Sequence, residues 1–587
     1  MSTASADTWT NATGGDYSVG SNWFDGTSPT ASESALFGIG DQVYFVTVPN
    51  GSEASRLIVE NGDNVSLVLS GGMFTLNDPP SGGGLPSQSV KIGGFSGGGT
   101  LRIDDGVVAA TDVDVSAGGL LFIDGDGVEN GRLQPSLITS ISNGSIVVEG
   151  FGRIESTAGL SIANFGQSVG QFTVEGPNAF ASFTGSAIVQ GESSTRLDVL
   201  AGGTLVLGGS LGVTGNTSGP AESLVSGSGS SITADRVVVG NPSTNHTPLL
   251  TIADGGAITT SSTNTVSSID DNGILRLDQG LFDMGPDAPF NGLRIGASGA
   301  VHGTGMIVGG RSVENSGLLE PGGVSDVGVL SIETFYQQTS TGTLSIEIGG
   351  NEVSQFDRLN VTGNSAFPSD PSILALGGTL DVSLIGLGGG GPFVPTTGDV
   401  FDILDFTGMA PSFDQINLPA LPGTLEWDTS LLTTTGEISV MGSPPPSIII
   451  DPNSVGATDI VEDAFGTPVT LTNPLTTPLN FTNPLGIGNT AAGELLVEGG
   501  AVVEGTDSIV IGNMSAGALE IRSGGRVAST GSSITLGVES GSTGDVLVTG
   551  ADSTLSSGNR LVIGRDGDGT LTIADSAAAS APTEVVV

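Results

Sequence analysis

Cysteine is absent from the 587 residues. Its absence excludes disulfides, thiolate zinc sites and cysteine nucleophiles, but leaves the compartment open, because stacked solenoids hold together without disulfides. Basic residues are scarce: 15 Lys and Arg, with Lys91 the only lysine, face 61 acidic residues for a formal charge of -46. Phosphate recognition needs clustered cations, so nucleic acid is not expected as a partner. The same charge repels anionic headgroups. No apolar run reaches the ~18 residues of a membrane span, so membrane insertion by this chain is not expected either. Met1 to Gly20 has no basic and apolar leader, so no signal peptide is expected; Met1 reads as the start of a fragment or of a chain exported by another route.

What the chain has in abundance is glycine, 96 residues, together with 37% hydrophobic residues and a mean hydropathy of +0.21. No G-x-y triplet runs through it, which excludes collagen, and the apolar content is higher than disordered chains usually carry. Repeats explain the glycine. Near the C-terminus Ile487-Gly488-Asn489 leads to Gly493-Glu494-Leu495-Leu496-Val497, and Ile511-Gly512-Asn513 leads to Gly517-Ala518-Leu519-Glu520-Ile521. Further copies start at Leu536-Gly537 and Ile563-Gly564, a spacing of one stacked supersecondary unit. Within each copy apolar and polar residues alternate, the period of a strand with one buried face, and glycines mark corners that demand positive φ.

Worn copies recur upstream at Ile92-Gly93-Gly94, Val239-Gly240-Asn241 and Ile295-Gly296. A companion phrase recurs at Val174-Glu175-Gly176-Pro177-Asn178-Ala179, Val225-Ser226-Gly227-Ser228-Gly229-Ser230 and Val548-Thr549-Gly550-Ala551-Asp552-Ser553. The pattern predicts an all-β chain of parallel β-helix (β-solenoid) arrays. A string of β-sandwiches also has short strands and turns, but does not predict the glycine spacing.

Along the chain, residues 1–45 concentrate Trp9, Tyr17, Trp23 and Phe24 and are expected to cap the first coil. A first array is expected over 46–320, a β-rich intervening region over 321–443, a stiff connector over 444–447 containing Pro444-Pro445-Pro446, and a second array over 448–587. The second array stops without an evident cap, from which a longer natural chain is expected.

The text changes from about residue 317 to 406, a stretch that carries Leu319-Glu320-Pro321-Gly322, Tyr336-Gln337-Gln338 and Asp357-Arg358-Leu359-Asn360-Val361-Thr362-Gly363 in that order. With the coil repeats, it resembles the distal passenger region of bacterial autotransporters and related repeat-rich surface proteins. The resemblance implies right-handed β-helices exported to the cell surface, often adhesive. Its departure is that a second coil array, and no translocator barrel, follows.

Enzymes also use parallel β-helices. Lyases of this shape need a basic residue, for which one lysine and scattered arginines are a poor supply. Glycosidases need carboxylates converging at about 5 to 9.5 Å. Asp104-Asp105 and Asp270-Asp271 are neighbours, which on a strand point to opposite faces. His246 and His302 are the only histidines; Val301-His302-Gly303 lacks any accompanying catalytic phrase, and two distant histidines do not make a zinc site. Calcium is the one cofactor with some support, since Asp124-Gly125-Asp126-Gly127 and Asp566-Gly567-Asp568-Gly569 set paired carboxylates on glycine turns, though neither completes a calcium-binding motif. The expectation is a non-catalytic, structural or adhesive, extracellular or cell-surface protein. It assigns no catalytic, cofactor-binding or metal residue, and its partner is an extracellular ligand, glycans included. The alternative is a carbohydrate-active enzyme.

Overall fold

The computed structural model describes residues 6–69, 71–77, 89–94, 97–125, 130–163, 168–191, 194–215, 219–243, 246–285, 291–363, 374–406, 412–422, 425–442, 447–449, 459–462, 469–471 and 479–587. The protein is all-β, with two three-residue 3-10 turns as its helical elements among these residues. Parallel strands stack as a β-solenoid of about 20 turns. The chain divides into two compact units, Met1–Val440 and Met441–Val587.

Through most of the first unit a coil takes three short strands around a narrow core. Thr100–Ile103, Val107–Ala110 and Val113–Ser116 form one circuit, and Leu120–Ile123 returns to the first face one level on. Alternation fixes which side chains point inward. On the first face the ladder brings Val65, Leu101, Leu121, Ile146, Phe172 and Leu197 into one column, all of them fully buried. Burying such a side chain contributes about 1.5–3 kcal/mol, and each adds van der Waals contact with its neighbours about 4.8 Å away. Ser223 continues that column; its hydroxyl, shut from water, donates to the Leu197 carbonyl at 2.9 Å.

The first face is a 16-stranded ladder that begins at Gly15–Asp16 and runs through Leu318–Pro321, Thr343–Ile348 and Thr379–Leu384 to Gln415–Asn417. It therefore starts inside the expected cap and passes residue 320 without a break. The second and third faces form one 27-stranded sheet. They merge because Met306–Asn315 and Val329–Gln338 run around the corner as single ten-residue strands. Gly309 and Gly310, both at positive φ, supply the bend between Val308 and Ser312.

Aromatic clusters close the core near both limits of this ladder. Trp9 meets Trp23 edge-on at 5.1 Å, and Phe37, Tyr44, Tyr17 and Phe74 join them. Phe24 does not take part and is 82% exposed. Trp23 is extended, so consecutive side chains point opposite ways and only one of the two enters the core. At the other limit Val400–Asp402 pairs antiparallel with Glu437–Gly442, and Phe401 packs against Phe356, Phe393 and Trp427.

The second unit repeats the plan on seven-, five- and five-stranded ladders. Its repeat glycines stack at one corner. Gly488, Gly512 and Gly537 have φ of 73°, 74° and 61°, and a Cβ on each would fall inside the carbonyl oxygen of the coil above, from Ala516, Thr543 and Asp568 respectively. The companion phrase has a shared use in both units: Ser230 accepts from the Gly202 N–H at 2.9 Å, and Ser553 from the Gly524 N–H at 3.1 Å, each tying a corner to the coil before it. Pro444-Pro445-Pro446 lies outside the described residues.

Candidate functional site

The residues singled out by sequence fall into separate, mostly structural places. Asp104 pairs with Arg102 at 3.2 Å, while its neighbour Asp105 accepts from the Leu69 N–H at 2.6 Å. Asp270 pairs with Arg294 at 3.0 Å, and Asp271 turns the corner at positive φ. His246 lies just before Leu249–Ala253, and His302 lies on Ala300–Gly303, where its Nδ1 is 2.6 Å from Glu320. Asp126 and Gly127 of the first candidate calcium turn are outside the described residues; Asp124 accepts from the Gly125 N–H and pairs with Arg102. In the second, Asp566 is an exposed partner of Arg565, and Asp568 enters a strand. Among the described residues no group of three or more His, Asp or Glu side chains is placed to hold a metal ion.

The three phrases that carry the resemblance turn Glu320, Tyr336, Gln338 and Asp357 inward, while Gln337 and Thr362 stay exposed. Asn315 donates to the Tyr336 hydroxyl at 3.1 Å, Tyr336 donates to Gln338 at 2.9 Å, and Gln338 donates to the carbonyls of Gly377 and Thr379. Tyr336 and Gln338 thus clamp three successive coils from within, where each unmade bond would cost about 1–3 kcal/mol. Asp357, fully buried, accepts from the N–H groups of Gly328 and Glu347, both at 2.8 Å. Burial, reinforced by the neighbouring Glu347 and Glu320 charges and opposed by those two hydrogen bonds, pushes its carboxyl up to about 8. Burial also raises the Glu347 carboxyl, whose Oε2 is buried without a partner.

Two clusters of charge lie on the outside, across adjacent coils. Arg102 reaches Asp104, Asp124 and Glu149 at 3.2, 3.4 and 4.0 Å and lies 5.0 Å from the Phe122 ring. On the second face Arg132 and Arg153 stand in register on neighbouring strands and share Glu155: Arg132 hydrogen-bonds it, and Arg153 Nε lies 3.5 Å from it, in ion-pair range but outside hydrogen-bond geometry. Burial pushes the Glu155 carboxyl up, but the hydrogen bonds from Arg132 and Gln134 and both arginine charges outweigh it and hold the group below the usual glutamate range.

Beside Arg153 is an open cleft of about 260 Å³, lined by Asn130, Phe151, Arg153, Asn178, Phe180 and Thr204 among others, with no acidic side chain among its described lining residues. The Arg153 guanidinium covers one side of Phe180 at 4.6 Å. The second unit has a groove of about 320 Å³ on the five-stranded ladder that includes Gly493–Val497, Ala516–Arg522 and Thr543–Thr549, but Glu494, Glu520 and Asp545 line that one. Sequence reading missed the first cleft because Arg132, Arg153, Phe180 and Thr204 become neighbours only once the coil register is known. The available signal was an outward arginine opening corresponding strands, Arg132–Pro135 and Arg153–Ser156. No protein-family model matches the chain, and no curated protein matches it in sequence.

Proposed function

We propose that this chain is a non-catalytic structural or adhesive solenoid acting at the cell surface or outside the cell, in the manner of autotransporter passengers. The observation that carries the proposal is how the cations are used. Arg102, Arg132, Arg196, Arg358 and Arg522 each reach a carboxylate on a neighbouring coil, as in Arg196 with Glu222 or Arg522 with Glu498, and Arg196 and Arg522 also pair within their own strands with Asp198 and Glu520. These pairs serve the scaffold, and the buried carboxylates near Asp357 are enclosed where no polymer reaches them. Incubating the full chain with a panel of polysaccharides, with and without Ca²⁺, is expected to release neither reducing ends nor unsaturated products, and an array of the same glycans and cell-surface extracts is expected to show retention. Product release would transfer the protein to the carbohydrate-active enzymes.

The acidic excess keeps an apolar-cored repeat chain soluble at the cost of self-repulsion. The Debye length shrinks from about 30 Å at 0.01 M salt to about 3 Å at 1 M. The melting temperature is therefore expected to rise by several degrees from low to high NaCl, and EGTA at fixed ionic strength is expected to leave it unchanged. Loss of the cooperative transition on EGTA alone would assign the fold to calcium.

A further inference from the structure

We infer that the cleft beside Arg153 binds a carboxylate-bearing sugar ring of an acidic polysaccharide. The inference rests on the adhesive reading above and names its ligand class. The lining sets two aromatic rings, Phe151 and Phe180, around a guanidinium, two amides and a hydroxyl. A pyranose ring has the matching polar edge, since its hydroxyls suit the amides of Asn130 and Asn178 and the Thr204 hydroxyl. The volume of about 260 Å³ is below the 300–1,000 Å³ of drug-sized sites, which limits the enclosed part to one ring.

Charge narrows the class. Arg132 and Arg153 lie one coil apart, about 4.8 Å, and among the described residues they share a single ion-pair partner, Glu155. Among the described residues two arginines thus meet one carboxylate here, in a chain of net charge -46. Stacked like charges are unfavourable unless something else offsets them, and a ligand carboxylate on the outer edge of Arg153 does so with the fork geometry an arginine offers. At physiological salt the Debye length is about 8 Å, so acidic groups on remote coils do not repel such a ligand. Asn178 is exposed at the rim, which leaves its amide free to turn toward a bound sugar without disturbing the core.

The test is calorimetric titration of the full chain with a tetramer of 1,4-linked uronate and with its carboxyl-reduced, neutral counterpart, at 0.05 and 0.5 M NaCl. Saturable binding of the uronate is expected, at least tenfold weaker for the reduced tetramer and weaker in high salt. Arg153→Gln is expected to weaken binding at least tenfold. Asn178→Ala, at an exposed position, should weaken it several-fold with an unchanged melting temperature, so the test survives if the arginine variant folds poorly. Absence of saturable binding, equal affinity for the reduced tetramer, or wild-type affinity in Asn178→Ala and a folded Arg153→Gln would each overturn the inference. Binding accompanied by unsaturated products would leave the cleft assignment standing and overturn the non-catalytic reading. Failure to bind without product formation would do the reverse.

Discussion

Gly512→Val is expected to break the coil stack of the second unit. Gly512 has φ +74°, and a Cβ there would overlap the Thr543 carbonyl of the next coil. The left-handed conformation alone costs a side chain about 1–2 kcal/mol. The overlap adds more, because a backbone carbonyl held in a ladder cannot move aside as the end of a flexible side chain would. A total of about 3 kcal/mol or more is expected, within the range of substitutions that strain a special backbone position. Gly541→Val is the matched control: its φ is +89° with nothing within 4 Å, so only the conformational cost of about 1–2 kcal/mol applies. The readout separates the units, since Trp9, Trp23 and Trp427 are the only tryptophans and all belong to the first. Circular dichroism should show an earlier transition in Gly512→Val while the tryptophan transition stays in place. Equal shifts for the two valine variants would show that coil contact at this corner is not what demands glycine.

Acidification from pH 8.5 to pH 5 is expected to stabilise the first unit through Asp357. In the folded chain this carboxyl holds its proton up to about pH 8, whereas in an unfolded chain it ionises near 3.9. Between those values the folded state binds more protons, so stability falls as pH rises through the window. The contribution is fully present below about pH 4 and lost above about pH 8. Glu347, also raised by burial, acts in the same direction. Glu155, held low by its arginines, acts oppositely and only at the acid end. A fall on the order of 3 kcal/mol from pH 5 to pH 8.5 is expected after discounting for relaxation and partial hydration. Tryptophan-detected denaturant unfolding at 1 M NaCl measures it with surface repulsion screened. Asp357→Asn should flatten most of the dependence, while lowering stability at every pH because Gly328 and Glu347 donate to different oxygens and the amide NH2, a donor only, would face one of those N–H groups. A stability that is flat or rises over this range in the wild type would sink the assignment.

How far sequence goes differs between elements. The alternation in Leu519-Glu520-Ile521 places Leu519 and Ile521 in the core and Glu520 outside, and the structure has them so. Gly488, Gly512, Gly537 and Gly564 announced a corner, and all four have positive φ. The phrase Tyr336-Gln337-Gln338 was legible as a motif but not as a buried clamp, because the donors and acceptors that complete it, Asn315, Gly377 and Thr379, come from other coils.

Sequence by itself determined the period, the inward face and the glycine corners, because each depends on a residue and its near neighbours: side-chain alternation is a property of an extended chain, and positive φ a property of one residue. It also determined the strong negative charge and the absence of thiol chemistry. Tertiary structure decided everything that depends on register between coils. Register set Arg132 beside Arg153 and Phe180 beside Thr204, across separations of 21 and 24 residues that vary from coil to coil. It also enclosed Asp357 between Gly328 and Glu347. A ladder converts a variable distance along the chain into a fixed spacing of about 4.8 Å, and no local pattern states in advance which residues that spacing will bring face to face.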